Sequence, residues 1–207
     1  MGMIELIKYL ALTVAISTSL IQSALAKNVE LERVDWPTQY ECDQCLSLRY
    51  LSLRMQIPLD LIGEVEVMYS KAFLAILSPH PSNDSVVFVA IPPNKQLLTL
   101  MERSPLFDDI NVENNEELFD LIGQLPDERE SLRKLRQMKN LDTAYRYTKA
   151  SKGNIHAYLI QNINPYTNQP HSELNIIIDE EKILYSIVGE LSEDLYTAIL
   201  SNLEVAP

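Results

Sequence analysis

The chain has 207 residues, 46% of them apolar, with 29 acidic against 17 basic residues and a formal charge of −12. Such an excess of carboxylates repels phosphate backbones and anionic membrane surfaces, so nucleic acid is excluded as an expected partner. Two cysteines and five glycines leave no room for a disulfide framework or a glycine-rich phosphate loop.

Residues 1–26 read as a signal peptide rather than as part of the fold. Lys8 precedes an apolar run from Tyr9 to Leu20, and Ala24-Leu25-Ala26 is a small-x-small cleavage site. The run is shorter than the roughly 20 residues a membrane helix needs. The mature protein is expected to begin at Lys27, to be periplasmic or secreted, not membrane-embedded, and to form one domain over 27–207.

The leading segment Asn28 to Glu41 is polar, and Trp36 is expected to anchor it to the body. Leu46 to Ile57 alternates apolar with polar residues, and the alternation slips at Tyr50-Leu51, which predicts a bulge inside one long strand ending at Pro58. Leu61 to Val67, Ala72 to Leu77 and Val86 to Ile91 continue as strands, and Ser78 to Ser85 is a loop dense in turn formers. A helical middle follows. Asn94 is read as the cap of Lys95 to Glu102, Asn114 or Asn115 as the cap of a helix reaching Ile122, and Pro126 as the opener of Asp127 to Lys139. In the last of these, Leu132, Leu135 and Met138 form the apolar stripe.

From Thr143 onward the pattern is the clearest in the chain. Ala144 to Thr148 and Ile155 to Ile160 flank a Lys152-Gly153-Asn154 turn. Leu174 to Ile178 and Ile183 to Val188 flank Asp179 to Lys182, and Ser192 caps a final helix whose Leu195, Ala198, Ile199 and Leu203 face inward. The whole is expected to be an α+β fold: a mainly antiparallel sheet with a helical middle segment and a C-terminal helix packed on the sheet.

Few residues carry recognisable chemistry. Cys42 and Cys45 have the spacing of thiol-disulfide oxidoreductases, whose first cysteine sits at a helix N-terminus that favours thiolate. Here the pair precedes a strand pattern, with no Trp or Gly-Pro dipeptide around it. A local disulfide in an oxidising compartment is therefore expected, worth about 2 kcal/mol. The redox pair is the alternative.

No metal site is expected. One CxxC supplies two ligands where zinc wants four, and His80, His156 and His171 are scattered, with His156 facing opposite Ile155 and Ala157. No Gly-x-Ser-x-Gly elbow is present, and Asp108-Asp109 and Glu116-Glu117 read as loop solvation and helix-start charges. No cofactor and no catalytic residues are expected.

Arg129, Arg133 and Arg136 at i, i+4 and i+7 share a helix face and form the one basic patch, a possible binding face, although bases late in a helix also complement its dipole. Asn83-Asp84-Ser85 is a glycosylation sequon, relevant only in a eukaryotic secretory pathway. The expected function is an exported acidic module that binds another protein, such as an inhibitor or immunity protein or an envelope accessory factor.

Overall fold

The computed structural model describes residues 29–38, 43–68, 73–77, 85–124, 129–164, 167–179 and 181–206. The signal-peptide segment, Cys42, His80, Asn83 and Pro126 lie outside these residues. In chain order the strands are β1 (Glu32–Arg33), β2 (Cys45–Tyr50), β3 (Leu53–Pro58), β4 (Glu64–Met68), β5 (Phe73–Leu77) and β6 (Val86–Ile91). After the helical middle come β7 (Ala144–Lys152), β8 (Ile155–Ile163), β9 (Pro170–Ile178), β10 (Leu184–Gly189) and the short β11 (Glu204–Val205).

The meander over β7 to β10 forms as its alternation predicts, and Gly153 makes its first turn possible by taking φ +60°, a conformation side chains oppose. Around it grows an eight-stranded sheet in the order β1-β7-β8-β9-β10-β6-β5-β4. Every pairing in it is antiparallel except β1 against β7. The α+β reading therefore holds, in a sheet that is mixed at one edge.

The expected bulge at Tyr50-Leu51 is instead a tight hairpin. Tyr50 pairs with Leu53, and Leu51, the first of the two turn residues, adopts φ 55°. The slip in alternation is thus a reversal of the chain. β2 and β3 leave the main sheet altogether and join β11 in a separate three-stranded sheet.

This second sheet and the C-terminal helix cover one face of the first. Phe88, Leu159, Leu174, Ile176 and Ile187 of the large sheet meet Leu53, Met55 and Ile57 of β3 and Leu195, Ile199 and Leu203 at the chain end, all buried. Each such side chain contributes roughly 1.5–3 kcal/mol by leaving water. Trp36 anchors the leading segment here, its Nε1 donating to the Leu200 carbonyl at 3.0 Å.

The opposite face is covered by helices α1 (Leu97–Met101), α2 (Asn115–Ile122) and α3 (Glu130–Met138), while α4 (Glu193–Ser201) is the C-terminal helix just described. Asn114 caps α2 by accepting from Glu117 N at 2.9 Å, and Ser192 caps α4 by accepting from Leu195 N. Asn94 caps nothing: Pro93–Lys95 is a single 3-10 turn, and α1 begins after Gln96. Gly123 closes α2 where the chain crosses close by, since a Cβ there would lie 2.5 Å from that of Leu31.

α3 corrects two expectations. Met138 is 47% exposed, whereas Arg136 is 1% exposed and takes the inward place beside Leu132 and Leu135. Its guanidinium donates to the carbonyls of Ile122, Gln124 and Val29 at 2.5, 3.1 and 2.9 Å. It ties the end of α2 to the leading segment. Among the described residues no helix is long and apolar enough to cross a membrane.

Candidate functional site

The helix-side face of the sheet is unusually polar for a buried layer. Strand register places Lys149, Tyr158, Asn175 and Ser186 side by side on β7 to β10, all buried. One row further along come Ser151 and His156, beside Ile177 and close to Asp179 at the end of β9. α2 lies over this corner and turns Glu116 and Asp120 toward it.

A network of charge-assisted hydrogen bonds results. Lys149 Nζ donates to Glu116 Oε1 at 2.8 Å and to both Asp120 carboxylate oxygens at 2.9 Å, and it lies 5.1 Å above the Tyr158 ring. The Tyr158 hydroxyl donates to Asp120 Oδ1 at 2.6 Å. Burial pushes the Tyr158 phenol well above its ordinary pKa, and the hydrogen bond to Asp120 acts in the same direction, because a phenolate could not donate it. On the far side of Asp120, Arg33 lies 3.6 Å away with its side chain largely in solvent.

His156 joins this network to the surface. Its Nδ1 lies 2.9 Å from Ser151 Oγ, and its Nε2 lies 3.0 Å from Asp179 Oδ1 and 3.5 Å from Glu116 Oε2. The ring therefore bridges a hydroxyl on one side and two carboxylates on the other. Sequence spacing leaves the histidines scattered, whereas the register of β8 with β9 and the packing of α2 bring His156 beside Asp179 and Glu116. His156 does face away from Ile155 and Ala157, as alternation predicts.

Beside Glu116 and Asp179 opens a cleft of about 440 Å³ between the α2 N-terminus and the β9–β10 turn. Its lining carries four carboxylates, Glu113, Glu116, Asp179 and Glu181, and one ammonium, Lys182. Gln96 fixes its floor, donating to the carbonyls of Ile91 and Lys182 and accepting from Asn115 Nδ2.

The residues singled out from sequence fare differently. Arg129, Arg133 and Arg136 do not form a common surface: Arg133 is exposed, Arg129 half-buried at the start of α3, and Arg136 sealed inside. Burial lowers the Arg136 pKa, opposed by Asp142, and leaves it charged among carbonyls. Cys45 opens β2 rather than a helix, and Cys42, its expected partner, lies outside the described residues. His171 is half-buried on β9, opposite Asn162. Glu117 serves the helix start as expected, accepting from Glu113 N, but its neighbour Glu116 turns into the network. Compared with protein families and with curated proteins, the chain matches no family model and no curated sequence.

Proposed function

We propose that this is an exported acidic binding protein that takes a basic segment of another protein into the cleft beside α2. The observation that supports this reading is the lining itself, four carboxylates to one ammonium around a space of about 440 Å³. The chain's charge of −12 would add long-range attraction for a cationic partner, raising the rate of encounter. Such a surface suits an inhibitor of a basic secreted protein or an envelope accessory factor. In this reading the signal peptide delivers the chain to the periplasm or beyond, and a Cys42–Cys45 bridge serves as a local staple.

Fluorescence anisotropy with a labelled Lys/Arg-rich peptide tests it. The wild-type protein should bind with an affinity that falls as salt is raised. The Glu113→Gln/Glu181→Gln double variant should bind more weakly and with a shallower salt dependence. Equal binding by the variant, or equal binding of an acidic peptide by the wild type, would remove the proposal. Export has its own check: N-terminal sequencing should find Lys27, and a cytosolic protein starting at Met1 would refute it.

A further inference from the structure

We infer that Glu116, His156 and Asp179 form a site for a divalent transition-metal ion at the edge of the cleft. One ligand atom from each lies within 4.8 Å of the other two. From His156 Nε2 the separations are 3.0 Å to Asp179 Oδ1 and 3.5 Å to Glu116 Oε2. An ion with bonds of about 2.0–2.2 Å to nitrogen and oxygen spaces neighbouring ligands roughly 3–3.5 Å apart. The imidazole is therefore already at ligand spacing from both carboxylates.

The surroundings orient each donor. Ser151 Oγ can accept from Nδ1–H, which leaves the Nε2 lone pair facing the carboxylates, the outer partner that metal-binding histidines ordinarily have. Lys149 holds Glu116 by Oε1, so Oε2 is the oxygen presented to His156. Glu116 comes from α2, His156 from the second position of β8 and Asp179 from the residue after β9, whose backbone N donates to the Asn154 carbonyl at 3.1 Å, so helix packing, strand pairing and this bond set their spacing.

Charge points the same way. Glu116 and Asp120 share the buried ammonium of Lys149, and Asp179 adds a third carboxylate at His156, so a neutral imidazole leaves two negative charges in excess, with the solvent-exposed Arg33 beside Asp120 and Lys182 in the cleft lining as the nearby cations. Three protein ligands with an open side on the cleft leave a position for water or for a donor atom of a bound partner. One imidazole with two carboxylates suits Zn²⁺, Mn²⁺ or Fe²⁺ better than Ca²⁺ or Mg²⁺, which favour all-oxygen shells.

Isothermal titration calorimetry of the chelator-stripped, oxidised mature protein with Zn²⁺ decides the matter. One saturable site is expected. His156→Ala and Asp179→Asn should each abolish it or weaken it by more than about 10-fold, and Ser151→Ala by about 10-fold. His171→Ala and Cys42→Ser/Cys45→Ser should leave it unchanged, and circular dichroism checks that every variant is folded. Bound Co²⁺ should show ligand-field bands without thiolate charge transfer. No saturable uptake by the folded wild type would overturn the inference, as would uptake that survives loss of both His156 and Asp179 or that vanishes with the cysteines. The peptide assay is run on metal-free protein and varies Glu113 and Glu181, whereas the metal assay varies His156 and Asp179, so either idea can fail alone.

Discussion

Along β8, Ile155, Ala157 and Leu159 point to one face of the large sheet and His156, Tyr158 and Ile160 to the other. The first face is closed by a second sheet and α4, and its buried side chains are mainly aliphatic and aromatic, with three tyrosines, Tyr50, Tyr185 and Tyr196, and no buried charge among the described residues. The second is closed by three short helices and carries a buried ammonium, two buried tyrosines, an asparagine and a serine among its aliphatic residues. Both faces carry many buried residues, so burial alone does not explain the contrast. An apolar layer supplies stability without direction, whereas a polar layer costs desolvation and is worth keeping where it holds charged groups in place. The polar side is the one that opens onto the acidic cleft.

The largest expected effect lies on the apolar side. Phe88 is fully buried and packs edge-on against Tyr50 with ring centroids 5.7 Å apart. Phe88→Ala should cost about 4 kcal/mol in urea denaturation, through lost burial and a cavity, and leave cleft binding intact in the protein that remains folded. On the polar side, Arg136→Ala removes the shared donor of three carbonyls and should cost about 3 kcal/mol. A surface arginine would cost almost nothing, so a change below about 0.5 kcal/mol would contradict its placement.

An effect that is smaller per residue, and shared by both faces, appears with pH. Burial raises the phenol pKa of Tyr147 and Tyr158 on the helix side well above the ordinary value, and that of Tyr185 on the other side to about 12. Each folded value lies above the unfolded value of about 10, so the folded state keeps its proton longer. The stabilisation is complete below pH 10 and is lost as the pH climbs from there toward the folded pKa. Urea midpoints should therefore fall above pH 10, as the unfolding free energy drops by up to about 1.4 kcal/mol per pH unit for each such tyrosine. Absorbance at 295 nm should show phenolate appearing together with unfolding, and midpoints unchanged to pH 11.5 would contradict the burial of these hydroxyls.

How far the sequence foretold this contrast depends on the range of the forces involved. Alternation in β7 to β10 and the caps Asn114 and Ser192 are local, and they were legible. The hairpin at Leu51 was hidden because a leucine with positive φ gives none of the usual glycine or asparagine signals of a turn. Arg136 was assigned to the surface by its charge, and only the carbonyls of Ile122, Gln124 and Val29, two of them beyond the helix start and one more than 100 residues away, make its burial affordable. His156, Glu116 and Asp179 come from three elements that no sequence spacing links. The one available signal was a histidine placed by alternation on the helix side of a buried strand.

The smallest change also bears on the polar layer. Asn175 is 0% exposed, and neither its Oδ1 nor its Nδ2 has a hydrogen-bond partner among the described residues. Replacing it by leucine removes a desolvation cost of about 1 kcal/mol or more at similar volume. Asn175→Leu should raise the urea midpoint; a loss of stability would show that the amide is paired in solution.

The claim that the polar face carries the function is tested most directly by amide chemical-shift mapping. ¹⁵N-labelled, metal-free protein is titrated with the Lys/Arg-rich peptide and perturbations are followed residue by residue. They are predicted to concentrate at residues 113–117 and 177–182, around Glu113, Glu116, Asp179 and Glu181. Perturbations centred instead on β2, β3 and α4 would place the binding surface on the opposite side of the molecule and contradict the account.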